Sequence, residues 1–291
     1  MTLLKVALSH DVDRVRKTHQ YLTRSIRYLK RAKIGSLYHE LLSLNKRNEV
    51  YWNFPDIMET EDALGVKSTF FFLQESYPFM PLHPSTWKLA LGRYDIRSDK
   101  VARIIYELDK AGWEIGLHGS YRSYNAPELL REEKKQLEQV VGHPIVGIRQ
   151  HYLNMNSNTW RFQDEAGFLY DSSLGYTDKI GYRNAHVAPF NPHNSSFIEF
   201  PLAIMDSCFL EDPDRDDNLK KIIDLTIAND GVLVLNWHSN SWHPDEYKEY
   251  KEKYVGLIKL FKAQGAIIKT LGEFYLELNA MNTNNSDTQS K

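Results

Sequence analysis

The chain has 291 residues, with 36 Lys or Arg against 38 Asp or Glu, so its formal net charge is −2 and nothing in it advertises nucleic acid or an anionic membrane as partner. Hydrophobic residues make up 42% and charged residues 25%, the balance of a globular protein with a real core. A lone cysteine, Cys208, excludes an internal disulfide and every multi-cysteine zinc site.

Apolar, β-branched runs alternate with amphipathic stretches along the chain. Strands are predicted at 3–9, 66–73, 113–117, 144–149, 168–173, 196–202, 231–238 and 266–271. The first run holds a single Lys5 and is too short for a signal-peptide core or a membrane span. No later segment approaches the roughly 20 apolar residues of a spanning helix, so a cytoplasmic protein that is not integral to a membrane is expected. Residues 14–55 form a long helical excursion after the first strand, readable as a packed insertion or as a wall over a site. Within it "TRSIRYLKRAKIG" sets Ile26, Leu29 and Leu37 on one face, the pattern of a solvated amphipathic helix more than of a phosphate-binding patch. Later helical stretches such as "FPDIMETEDALG" and "APELLREEKKQLEQVVG" close on a glycine just before the next strand. Repeated β–α–β order with seven or eight strands predicts one α/β domain over 1–280, its parallel sheet closed or nearly closed into a barrel. The polar segment 281–291 is expected to be a disordered tail.

Parallel barrels place their chemistry at the C-terminal strand ends, and the polar punctuation of this chain gathers there. The first strand ends in "SHDVD", with His10, Asp11 and Asp13; the third gives His118 in "GLHGSYRSY". The fourth gives Arg149 and His151 in "IRQHYLN", the fifth Asp171, and the seventh His238 in "LNWHSNSW". Any one of them has an ordinary explanation as a cap or turn residue, but five converging strand ends do not. Residues two apart on a strand share a face, which groups Ser9, Asp11 and Asp13 and turns His10 away. Two neighbouring carboxylates repel unless a cation lies close; one can hold a metal while the other takes a proton from water.

These segments resemble the polysaccharide deacetylases of the NodB-homology group over residues 3 to about 275. The resemblance rests on Asp11 and Asp13 after the first strand, His118 in the third-strand motif, Arg149, Asp171, and His238 in the last motif. It implies a distorted (β/α)7–8 barrel and metal-dependent hydrolysis of an N-acyl group on a sugar. Three departures stand out. The second histidine of the third-strand motif is replaced by Arg122, which cannot ligate a metal. His151 stands two residues after Arg149, where the family carries a proline, and is the candidate replacement. Asn236 and Val234 occupy the places of the two leucines that line the acyl pocket, which predicts a more polar pocket.

On this resemblance Asp13, His118 and His151 hold a divalent metal, zinc first, with cobalt, nickel or iron also suited to the donor set. Asp11 is the base, oriented by Arg149, which Asp171 fixes in turn; His238 is the acid that protonates the leaving nitrogen. The backbone N–H of Tyr152 is the expected oxyanion donor. Tyr121, Tyr124, Trp237, Trp242 and His243 are placed either to contact sugar or to pack. The expected substrate is an N-acylated sugar or glycan precursor of a surface polysaccharide. The alternatives are a related metal hydrolase acting on a formyl, ester or cyclic amide bond, and a non-catalytic sugar-binding barrel. The oligomeric state is not legible.

Overall fold

The structure, a computed structural model, describes residues 2–289 apart from 19, 31, 33, 36–37, 39–48, 84–85, 194 and 245. Its elements run in the order β1 (Lys5–Val12), α1 (Gln20–Lys30), α2 (Phe54–Leu64), β2 (Thr69–Leu73), α3 (Trp87–Ala90), α4 (Asp99–Lys110) and β3 (Glu114–Gly119). Then follow α5 (Pro127–Val141), β4 (Gly147–Gln150), α6 (Thr159–Glu165), β5 (Tyr170–Asp171), β6 (Ile198–Glu199) and β7 (Leu202–Met205). The chain closes with α7 (Asp206–Glu211), α8 (Arg215–Ala228), β8 (Leu233–Asn236), α9 (Tyr250–Ala263), β9 (Ile267–Lys269) and α10 (Leu271–Gln289). The glycines expected to end helices do so. Gly65 after α2 and Gly142 after α5 sit at φ +62° and +88°, a left-handed turn that a side chain resists.

All named strand pairs are parallel, in the spatial order β6-β5-β4-β3-β2-β1-β8-β7. β9 lies beside the lower half of β1, pairing Lys5–Ala7 below the point where β2 begins opposite Ser9. β6 and β7 stand at opposite ends of this order, yet only Phe200 and Pro201 separate them in sequence. The sheet must therefore curl until its two ends approach, which makes the distorted (β/α) barrel that the sequence predicts. The single strand expected at 196–202 is two strands, because Pro201 has no N–H to donate to a ladder. Leu202 turns its N–H to the Leu174 carbonyl at 3.0 Å instead.

The two sides of the strands form two cores. Val6, Leu8 and Val12 of β1 pack with Phe70, Phe72, Leu117, Ile148 and Leu235 under the helices. Ala7 faces the barrel interior with Phe71, Tyr170, Phe200 and Val234. The interior is filled to contact: a Cβ on Gly116 would lie 2.6 Å from the Phe71 ring. This alternation sets the site, since Ser9, Asp11 and Asp13 continue the interior side while His10 falls on the helix side. There His10 meets Glu61 of α2 at 2.9 Å and the Trp237 carbonyl at 2.6 Å, in the dry layer behind the sheet.

Part of the 14–55 excursion lies outside the described residues, Leu37 among them. In α1 Ile26 and Leu29 are exposed, so this helix face is not covered by the barrel. No described helix is long and apolar enough to cross a membrane.

Candidate metal centre and active site

The C-terminal ends of β1, β3, β4, β7 and β8 bring most of the predicted residues together. Asp11 is almost fully buried, and its Oδ1 accepts a hydrogen bond from Arg149 at 2.9 Å. The guanidinium is wholly enclosed: it also donates to Ser9 Oγ at 2.8 Å, to Asn236 Oδ1 at 2.9 Å and to the Ser172 carbonyl and hydroxyl. Asn236 completes the ring by donating to Asp11 Oδ2 at 2.9 Å. Burial works against ionising Asp11, but the charge of Arg149, helped by His118 and His238, outweighs it and holds the carboxyl below its ordinary range. The result is an oriented, ionised carboxylate.

Asp13, His118 and His151 form a group whose ligand atoms all lie within 4.8 Å of one another. His118 donates from Nδ1 to the Arg149 carbonyl at 2.9 Å, leaving the Nε2 lone pair directed at the site. A backbone acceptor on the far nitrogen is how metal-binding histidines are commonly oriented. His118 Nε2 lies 3.2 Å from Asp13 Oδ1, in charge contact but off the hydrogen-bonding direction. Asp13 Oδ1 and His151 Nδ1 are buried without a hydrogen-bond partner. Burial, against the pull of Asp13, pushes the His151 pKa down to about 4, so its imidazole is neutral at pH 7 and able to ligate. His118 is also buried, but Asp11 and Asp13 outweigh that and raise its pKa; a cation bound there replaces its proton. Two orphaned acceptors, one oriented imidazole and a carboxylate held well below its usual pKa are a donor set that a divalent cation fits.

His151 reaches this position through an irregular turn. After β4 the chain enters a 3₁₀ turn, His151–Leu153, in which Tyr152 and Leu153 take φ +59° and +52°. Two successive left-handed residues without glycine are costly, and here they turn His151 inward while Tyr152 swings to the surface. The His118 and His151 rings lie nearly parallel with centroids 5.1 Å apart.

Opposite them stands His238, whose Nδ1 donates to Asp206 Oδ1 at 2.9 Å and whose Nε2 lies 3.9 Å from Asp13 Oδ2. Asp206 opens α7 directly after β7 and is missing from the sequence-based site. It also accepts the His238 N–H at 2.9 Å and the Ser241 hydroxyl at 2.5 Å. Burial alone would lower the His238 pKa; Asp206, then Asp13 and Asp11, overcome it and push it up to about 10. The imidazole is a cation at neutral pH, the form a general acid needs. A cation held at Asp13 offsets part of this rise.

Three expectations need correction, those for Asp171, Asn236 and Trp237. Asp171 accepts from Ser173 Oγ at 2.6 Å, and Arg149 finds its acceptors in Asp11, Ser9, Asn236 and Ser172 instead. Asp171 lies beside buried Glu199, its partner in the β5–β6 ladder; desolvation raises both carboxyls, Glu199 the further. Asn236 does not line an acyl pocket: it is fully buried with both amide ends spent on Asp11 and Arg149. Trp237 is core, packed against Phe209, Tyr250 and Tyr254, and Trp242 is buried with its N–H on Asp56. Tyr121 and Tyr152 do stand at the rim, edge to face at 5.7 Å, with Arg122 turned outward over Tyr77.

With Asp11 read as the base, Asn236→Leu is expected to weaken it. The lost hydrogen bond to a charged group, typically worth ~1.5–3 kcal/mol, raises the Asp11 pKa. The acid limb of the rate profile should move to higher pH with the alkaline limb unchanged; an unmoved acid limb would remove Asn236 from the base assembly.

No protein-family model and no curated protein matches the sequence. Solved structures do match the fold. A polysaccharide deacetylase, so named, from Mycobacterium smegmatis superposes with a TM-score of 0.60 at 18% identity, over 97% of this chain and 92% of its own. An allantoinase superposes with a TM-score of 0.55 at 14% identity, over 96% of this chain and 91% of its own. At these identities the likeness establishes the shared barrel.

Proposed function

We propose that this chain is a metal-dependent hydrolase of the polysaccharide deacetylase group, removing the acyl group from the nitrogen of an N-acylated sugar or glycan precursor. One observation carries the reading: an Asp/His/His donor set has an ionised, oriented carboxylate 3.9 Å from His118 and a cationic histidine 3.9 Å from Asp13. A sugar-binding barrel has no use for a base and an acid held beside one donor set.

Asp13, His118 and His151 hold the metal, with zinc the first choice for this donor set. When bound, such a cation supplies Lewis acidity, acidifying water and polarising the acyl carbonyl. Asp11, fixed by Arg149 and Asn236, receives the proton of the attacking water. Its depressed pKa keeps it free of that proton beforehand. The N–H of Tyr152, next in the chain to His151, serves as donor to the tetrahedral oxyanion, a role typically worth ~3 kcal/mol. His238 then delivers its Nε2 proton to the departing nitrogen, and Asp206 stabilises the imidazole through the transfer. Tyr121 and Tyr152 are partly exposed at the rim and are the aromatic groups nearest to hand for a sugar.

The likeness to an allantoinase keeps a cyclic amide as the second substrate class. The test is release of carboxylate and primary amine by zinc-loaded protein from N-acetyl and N-formyl amino sugars, with O-acetyl sugars and a cyclic ureide alongside. Turnover of an N-acyl sugar that Asp11→Asn reduces by ~10³-fold or more supports the proposal. Turnover of the ureide alone moves the reading to the second class, and no turnover by a metal-loaded protein removes both.

A further inference from the structure

The net charge of −2 averages over an uneven chain. Residues 14–39 and 76–94, under a sixth of its length, hold ten of the 36 Lys and Arg and none of the 38 Asp and Glu. Exposed apolar side chains gather in the same place. Among the described residues, eight of the fifteen large hydrophobic side chains that stand exposed belong to these two segments. In α1, Ile26 and Leu29 are three residues apart and share an uncovered face, with exposed Lys30 beside them. In the second segment Leu82 is 91% exposed, and the Phe79 and Trp87 rings lie 6.0 Å apart, both reaching solvent. The Trp87 N–H is spent on the Met80 carbonyl, so its ring offers no polar group to the surface.

The two segments are joined, and they border the candidate active site. The Thr18 hydroxyl donates to the Leu91 carbonyl at 2.8 Å, and Arg14 donates to the Lys88 carbonyl at 3.1 Å. Exposed Lys88 holds its Nζ 4.6 Å from the centre of the Tyr152 ring, next in the chain to His151. Three of the acids that bound the segments in sequence are engaged elsewhere. Asp13 is in the donor set, Glu75 is buried on the N–H groups of Tyr77 and Tyr121, and Asp95 is on Arg97. Lys17 is the cation drawn inward, to Glu246.

Three kinds of partner could cover such a face. A second copy, docked by two-fold symmetry, would set these cations against themselves. A soluble polyanion would meet the cations and leave Leu82, Phe79 and Trp87 in water. An anionic bilayer accepts both, with Lys and Arg among the headgroups and Leu, Phe and Trp at the acyl boundary. We propose that this face docks on an anionic lipid bilayer, which sets the Tyr121–Tyr152 rim toward the headgroups. The docking stands whether or not the site is a hydrolase.

The test is co-sedimentation of the full chain with phosphatidylcholine vesicles, with and without phosphatidylglycerol. Binding at least tenfold tighter to the phosphatidylglycerol vesicles, and loosened by added salt, is expected. Leu82→Glu places an acid at an almost fully exposed position and should weaken binding tenfold or more with Tm unchanged. Lys88→Glu should weaken it as well, and Tyr106→Ser, exposed on α4 outside both segments, should not. The proposal is overturned by no binding to either vesicle, by equal binding to both, or by binding that neither Leu82→Glu nor Lys88→Glu weakens. A dimer in solution that Leu82→Glu dissociates would also overturn it, since the face would then lie between copies.

Discussion

Asp206→Asn is expected to lower kcat by ~10²–10³-fold at pH 8 and to move the alkaline limb of the rate profile to lower pH. Burial pulls the His238 pKa down, and Asp206 is the largest of the charges that reverse this, bringing it up to about 10. Without that carboxylate burial regains ground, and the acid loses its proton within the working range. Asparagine keeps an oxygen for the Nδ1 hydrogen bond, so the variant removes charge with little change of shape. The linkage sign follows from the same shift. A histidine pKa raised above 6.5 stabilises the fold fully below about 6.5, and that stabilisation fades as pH rises toward 10. The variant should therefore lose more stability at pH 6 than at pH 10. A thermal shift that is equal at both, with an unmoved alkaline limb, would make Asp206 a packing residue only.

Glu61→Leu is expected to cost ~3–5 kcal/mol of stability, roughly a 10 °C fall in Tm for a domain of this size, without changing the pH limbs of the folded protein. Glu61 is fully buried, 2.9 Å from His10 Nε2. It also accepts from the Tyr254 hydroxyl at 2.5 Å, the Trp113 N–H at 2.6 Å and the Ser68 hydroxyl at 2.8 Å. Leucine leaves four polar groups facing a dry wall, and the cost of orphaned partners exceeds the modest net value of the bonds themselves. His10→Phe added to Glu61→Leu should recover part of the loss, because the ring already lies 4.7 Å from Phe70 in an aromatic layer. A double variant no better than the single would mean that the His10 contact is not where the cost resides.

The interior face of β1 was readable because period two is a property of any strand: Ser9, Asp11 and Asp13 had to point together. His118, Arg149, His151 and His238 were readable as polar residues at strand ends. Asp206 was not, since it follows a strand that the sequence merged with its neighbour; Pro201 between Glu199 and Leu202 was the signal for two. Asn236 and Trp237 were misassigned for a different reason. Adjacent residues at a strand end face opposite layers, and periodicity alone does not say how far each lies from solvent. Asn236 is the interior partner of Ser9 in the β1–β8 ladder, and Trp237 belongs to the helix layer. The Asp171–Glu199 pair joins β5 to β6 across the sheet, a contact between strands whose register the sequence does not set.

The central claim is that Asp13, His118 and His151 hold a metal, with Arg122 outside the centre. Bound metal per chain, measured by elemental analysis after zinc loading and removal of excess, tests it in the wild type and in His151→Ala and Arg122→Ala. The expected result is about one equivalent in the wild type and in Arg122→Ala, and little in His151→Ala. A wild type that retains no metal, or a His151→Ala chain that retains a full equivalent, would contradict the account.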